Sequence, residues 1–181
     1  VKKFSAQDPP LWFKIIVYIG IAVVAVGLVI LVSRNGLIRQ YQQTLGYQNE
    51  LRDLTNEKYD VSVSILERLD IDLQISGLDA GAASVPQISD WYCYFDVQVN
   101  DQMLEVIRER GRGRISASVA SEIGQLKKLD AEVADIAADY NDAALRFNSM
   151  IHSFGNMLSA RMLSYQDMEL FDCRNAFFND Y

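Results

Sequence analysis

The sequence predicts an all-α fold: an N-terminal transmembrane helix that continues into an elongated antiparallel helical bundle. Three observations predict it. Ile15 to Ser33 is a run of nineteen residues without a charge. Two long later stretches carry apolar residues at helical spacing. Only 3 prolines interrupt 181 residues. The chain divides into an N-terminal flank (1–14), a membrane helix (15–33) and a helical body (34–181).

Composition sets outer limits. Half of the residues are hydrophobic and 23% are charged, which suits a folded chain rather than a disordered one. Two cysteines and one histidine are too few for a closed zinc site of the Cys/His type. The net charge of −7 gives no general attraction for nucleic acid. No nucleophile has a recognisable partner, and no glycine-rich phosphate loop follows a strand. No catalytic residue, cofactor or metal is therefore expected.

The run IIVYIGIAVVAVGLVILVS is apolar on every side. At 1.5 Å per residue it covers about 28 Å, near the roughly 30 Å hydrocarbon core of a bilayer. Trp12, Phe13 and Tyr18 mark the N-terminal boundary, and Lys14 and Arg34 bracket the run. Pro9 and Pro10 stop a helix from extending far upstream. A signal peptide would have a shorter apolar core and a small-residue cleavage site, which Ser33-Arg34-Asn35-Gly36 is not. Basic residues flank both ends almost equally, so orientation rests on a small bias toward an N-terminus inside. Without Lys2, Lys3, Lys14, Arg34 and Asp8, 13 basic and 23 acidic residues remain, a charge of −10 on the body. Such a body is repelled by anionic headgroups and projects from the membrane.

The first helical stretch of the body is marked by Leu37, Tyr41, Leu45, Leu51, Leu54, Val61, Ile65, Leu69 and Leu73. It continues the membrane helix directly. Gly36 is either a swivel at the membrane surface or a tolerated surface glycine. Ser76 to Ser84 is small and glycine-rich and reads as a connection, supported by Val85-Pro86. Trp91, Tyr92, Tyr94 and Phe95 form a dense aromatic patch. It is either a hydrophobic plug over one end of the bundle or a groove for a ligand or partner. Asn100-Asp101 reads as an N-cap before Met103, Val106 and Ile107.

Arg108, Arg110, Arg112 and Arg114 make the only basic cluster. They form either a solvated connector or intersubunit ion-pair strip, or a site for phosphate or a lipid headgroup. The longest stripe follows: Ile115, Val119, Ile123, Leu126, Val133, Ile136, Tyr140, Ala144, Phe147, Ile151 and Phe154. Forty residues on one stripe make roughly 60 Å of helix. It must pack along the other long helix, antiparallel to it. Gly155 is expected to end it, Met157 to Leu163 to fold back, and Phe171, Phe177, Phe178 and Tyr181 to form an aromatic tail.

Other chemistry-bearing residues have bland readings beside sharp ones. Cys93 and Cys173 either pair in an oxidising compartment or remain buried thiols. His152 reads as structural, having no second histidine or nearby cysteine. Asp70 and Asp72, like Asp135, Asp139 and Asp142, read as solvated carboxylates without the loop of a calcium site.

The C-terminal part resembles the LemA family of bacterial single-span membrane proteins. The resemblance rests on Tyr140-Asn141-Asp142-Ala143, Phe147-Asn148, Ile151 and Ser153-Phe154, with Leu158 and Glu169-Leu170-Phe171 beyond. Lys58-Tyr59-Asp60-Val61 and Ile65-Leu66-Glu67 look like an earlier family segment. Val63-Ser64 stands where that segment has a proline-asparagine step, which favours an uninterrupted helix here. The region from Leu78 to Gly113 has no counterpart in the family. The resemblance implies a single-pass protein of the bacterial inner (cytoplasmic) membrane with an elongated helical body and no enzymatic activity.

The expected role is a non-enzymatic, membrane-anchored scaffold. Its expected partners are membrane lipid and further copies of itself or other subunits of a membrane complex, not nucleic acid. The alternative is a regulatory or sensory ligand-binding module coupled to the membrane helix. The expected contact surface is Trp91, Tyr92, Tyr94 and Phe95 with Arg108, Arg110, Arg112 and Arg114.

Overall fold

The computed structural model describes residues 10–72, 77–78, 84–110 and 116–173. The described residues form four helices: α1 (Leu11–Arg68), α2 (Val85–Arg110), α3 (Ala117–His152) and α4 (Met157–Met162). No strand occurs among them. The fold is all-α, as the periodicity requires. Leu73, Ile115, Arg112, Arg114, Phe177, Phe178 and Tyr181 lie outside the described residues.

α1 is a single helix of 58 residues, about 87 Å long. Its most apolar stretch has no buried residue. From Leu37 onward the helix enters a core. Its inward positions step by four and three residues: Leu37, Tyr41, Thr44, Gln48, Leu51, Thr55, Lys58, Ser62, Ile65 and Leu69. That is a heptad seam, the pattern that winds two helices around each other with a left-handed twist. α3 carries the matching seam through Val119, Leu126, Val133, Ala137, Tyr140, Ala144, Phe147 and Ile151.

Core packing fixes the directions. Leu37 packs with Phe147 and Ile151, Leu51 with Val133 and Tyr140, and Ile65 with Val119 and Leu126. α1 and α3 are therefore antiparallel, as expected of the two long stripes. α2 runs the other way. Its Val85 and Ile88 pack beside Leu51, and its Val99 and Met103 beside Ile65 and Leu69. α2 is thus parallel to α1, and the chain between them must travel back along the bundle. Gly77 lies on that return, against the ring of Tyr59, where an added Cβ would stand 3.2 Å from Cε1.

α2 differs from its expected form. Asn100-Asp101 does not cap a new helix; α2 passes through it unbroken. The reason is the core: Phe95, Val99 and Met103 fall in one cluster, so the apolar face continues across the polar pair. α3 starts where Ser116 Oγ accepts from Val119 N at 3.3 Å. It stops at His152, before Gly155, because Ser153 turns to extended backbone. Phe154 leaves the stripe and is 97% exposed.

Two helix ends are Schellman motifs without glycine. At α1, Asp70 has φ 60°, Asp70 N donates to Glu67 O at 3.1 Å, and Ile71 N donates to Leu66 O at 2.9 Å. Leu66 and Ile71 share a hydrophobic cluster, the apolar contact that accompanies this motif. At α4, Ser164 (φ 53°) repeats the pattern, with Tyr165 N donating to Ala160 O at 3.1 Å.

Gly36 sits inside the unbroken α1, and a Cβ there would meet only Met150 Cε at 3.9 Å. That is ordinary contact in a helical conformation. Gly36→Ala is therefore expected to stabilise the chain by roughly 0.5–1 kcal/mol, read as a raised thermal midpoint in detergent. A lowered midpoint would point to a swivel instead.

Candidate functional site

The aromatic patch proves to be mostly core. Tyr92 and Phe95 are fully buried, so neither belongs to a contact surface, and the expected patch is corrected accordingly. The cause is helical phase: Ile88, Tyr92, Phe95 and Val99 lie on the face of α2 that meets α1. Trp91 is half-buried and stacks on Phe95, with ring centroids 4.7 Å apart. Tyr94 and Arg108 point to solvent. Arg110 ends α2.

Behind the patch lies a buried charge cluster that the apolar stripes did not reveal. Lys58 of α1 is 1% exposed. Its ammonium donates to Asp96 of α2 and to the hydroxyl of Tyr92 at 3.1 Å, and it pairs with Asp130 of α3. All three ammonium donors thus have partners. The Tyr92 hydroxyl donates in turn to Asp130 Oδ1 at 2.9 Å. Lys58 Nζ also stands 4.4 Å from the centre of the Tyr92 ring. Asp96 is as buried as Lys58, whereas Asp130 keeps about a third of its side-chain surface in water. Burial first, then the charges of Asp130 and Asp96, raise the Tyr92 hydroxyl pKa far above its ordinary value.

One cation and two carboxylates from three helices cost more to desolvate than a plain apolar core. What they supply is register. α2 can meet the α1–α3 pair at only one height if Asp96 and Tyr92 are to reach Lys58. Elsewhere two polar seam residues satisfy themselves, Thr44 donating to Gln40 O at 3.0 Å and Thr55 to Leu51 O at 2.7 Å, whereas the buried Ser62 hydroxyl has no hydrogen-bond partner among the described residues. The cluster is closed and offers no free nucleophile.

The second constellation is a strap. After α4, residues 165–173 run back over α3 to reach α2. Tyr165 stacks on Tyr41 at 4.6 Å and meets Phe147 edge-on at 5.3 Å. Asn148 Nδ2 donates to Met168 O, and Met168 N donates to Asn148 Oδ1, both at 2.8 Å. Asn141 does the same for Phe171, again at 2.8 Å in both directions. Each asparagine amide thus acts as a neighbouring peptide would in a sheet. The spacings agree: seven residues of helix rise about 10.5 Å, and three residues of extended chain about 10 Å. Tyr140 donates to Glu169 O at 2.8 Å between them, and Ser89 of α2 donates to Asp172 O at 2.8 Å.

Cys173 ends the described strap in a disulfide with Cys93 of α2, with the Cα atoms 5.7 Å apart. That distance lies in the ordinary range for such bridges. His152 Nε2 and Asp167 Oδ1 are 2.8 Å apart in an exposed pair near the start of the strap. Asp70, Asp72, Asp135, Asp139 and Asp142 are exposed. Among the described residues, no three acidic, histidine or cysteine side chains gather as a metal site.

Two measurements test the strap. Asn141→Ala and Asn148→Ala each leave a backbone pair unbonded and should each cost about 1–3 kcal/mol in urea unfolding. Asn49→Ala, at an exposed site, should stay within about 0.5 kcal/mol. Equal effects at all three positions would deny the strap its role. The second measurement is alkaline. Burial, then the charge of Glu169, pushes the Tyr140 hydroxyl up to about 12. A raised folded-state value leaves its stabilisation intact below the unfolded value near 10, and the unfolded chain ionises first above it. Stability should therefore fall as pH rises from about 10 toward 12, and Tyr140→Phe should flatten that fall. An unchanged slope in Tyr140→Phe would refute the assignment.

Comparison of the chain with models of known families, with curated proteins and with solved structures found no match.

Proposed function

We propose that this chain is a single-pass protein of the bacterial cytoplasmic membrane whose helical body is a non-enzymatic scaffold, working as a subunit of an oligomer or a larger membrane complex. One observation carries the reading. The helix whose uncharged, apolar stretch begins at Ile15 with no buried residue becomes, without a break, the central spine of the body. Lipid is the solvent that suits the first part, and the second part transmits any load on the body straight to it. The span is tied to the body at its end, where Ser33 Oγ donates to Gly155 O and Ser159 Oγ donates to Ile30 O, both at 3.3 Å.

The likeness to the LemA family belongs to this proposal. Four of the residues that carry it, Tyr140 and Asn141 on α3 with Glu169 and Phe171 on the strap, form the two sides of one contact, and Asn148 holds the adjoining Met168. The Cys93–Cys173 bridge supports a body on the oxidising, non-cytoplasmic side. With Tyr92 and Phe95 in the core, the outer candidates for contact with other subunits are Tyr94 and Arg108.

Alkaline carbonate washing of native membranes followed by cross-linking and mass spectrometry tests the reading. The chain should stay in the membrane pellet and yield cross-links from the outer face of α2 to other copies or to other membrane proteins. Release into the wash refutes the anchor. Retention without any neighbour refutes the scaffold.

A further inference from the structure

We infer that the corner from Ser153 to Met162 is a second membrane contact, a foot that seats in the headgroup–acyl boundary beside the span. The inference rests on the membrane reading of α1 and adds a separate surface to it. Its position comes from two hydrogen bonds. Ser159 Oγ donates to the carbonyl of Ile30, and Ser33 Oγ donates to the carbonyl of Gly155. Ile30 lies three residues inside the apolar run that ends at Ser33. Three residues of helix are about 4.5 Å, so the corner reaches about that far below the end of the run. Interfacial helices bury their apolar faces by about 5–10 Å, and the corner comes close to the shallow end of that range.

The side chains suit that place. α4 turns Ser159 and Ala160 inward against α1 and α3. Outward it shows Leu158 (54% exposed) and Met162 (69%), four residues apart on one face, with Phe154 (97%) four residues earlier. In water these three would be an apolar patch with no cover. In the boundary their cover is the same lipid that surrounds Ile15 to Ser33, and the two apolar surfaces join. Arg34 and Arg161 are exposed at the same end, where long basic side chains reach headgroup phosphates. The foot and the span together would hold the body at a fixed tilt, which one helix alone does not do.

Depth-dependent quenching in nanodiscs of phosphatidylcholine and phosphatidylglycerol tests this with the full chain. Both native cysteines are bridged, so a single added cysteine can carry an environment-sensitive fluorophore. Three sites are compared: Leu158→Cys on the foot, Val24→Cys in the span and Asp139→Cys on the exposed face of α3. Val24→Cys should lose most of its emission to lipids carrying a deep doxyl group. Leu158→Cys should lose most of its emission to lipids labelled near the headgroup, and Asp139→Cys should lose none. Quenching at Val24→Cys without quenching at Leu158→Cys keeps the anchor and overturns the foot. Leu158→Cys shielded from aqueous iodide yet untouched by doxyl lipid shows a protein covering the patch, which also overturns it. Absence of quenching at Val24→Cys overturns the anchor and the foot with it.

Discussion

Lys58→Ala is expected to destabilise the chain by about 3–5 kcal/mol, because it strands buried Asp96 and deprives Asp130 and the Tyr92 hydroxyl of their shared donor. Most of that loss comes from the unpaired carboxylate, not from the worth of the pair itself. The companion variant separates the two. Lys58→Met combined with Asp96→Leu removes both buried charges and should recover most of the stability, because an apolar pair of similar size often equals a buried ion pair. Asp130 remains partly in water and keeps its bond from Tyr92. Urea unfolding followed by circular dichroism in detergent reads both variants. A Lys58→Ala effect within about 0.5 kcal/mol would mean that the cluster does not form as described. If register is what the cluster supplies, the double variant should be stable yet show faster amide exchange in α2.

Opening the Cys93–Cys173 bridge has the next largest expected effect. The bridge closes a loop across a sequence separation of 80 residues. In the chain-entropy account such a closure stabilises by roughly 4 kcal/mol, since the reduced unfolded chain regains the freedom that the loop denied it. Cys93→Ala with Cys173→Ala should lower the unfolding free energy by about that amount. The loss should be local as well as global. Cys173 anchors the end of the described strap, and Asn141 and Asn148 hold its middle, so the amides of Met168 and Phe171 should exchange faster while those of α3 are still protected. Unchanged exchange there would show that the asparagines hold the strap unaided.

Much of this was legible in the residues, for reasons that differ by element. α3 reads clearly because its seam is almost wholly apolar; only Asp130 interrupts the line from Val119 to Ile151. α1 reads clearly as a helix but less clearly as a surface. Thr44, Gln48, Thr55, Lys58 and Ser62 occupy half of its inward positions. A rhythm drawn through apolar residues therefore strays to Leu45, Leu54 and Val61, which the fold leaves half-buried at the flanks. The hydrogen bonds that make Thr44, Thr55 and Lys58 acceptable there are local or reach across to α2 and α3, and neither kind leaves a periodic trace. For the same reason Lys58 carried no sign of its role.

The helix ends were hidden by chemistry. Asp70 and Ser164 take the left-handed conformation where glycine is the ordinary marker. The strap was hidden by geometry. Asn141 and Asn148 are seven apart and their partners three apart, and only the difference in rise between helix and extended chain explains why they meet. The direction of α2 was not legible, because the connection before it gives no hint of how far back it travels.

Hydrogen exchange along α1, measured on the full chain in nanodiscs, tests the central claim most directly. A single rod that leaves lipid and becomes the spine of the body predicts slow exchange from Ile15 to Ile65 without a break, slowest in the lipid-covered part. Fast exchange at Ser33 to Gly36 would divide the rod into two helices, and fast exchange throughout Ile15 to Ser33 would take it out of the membrane.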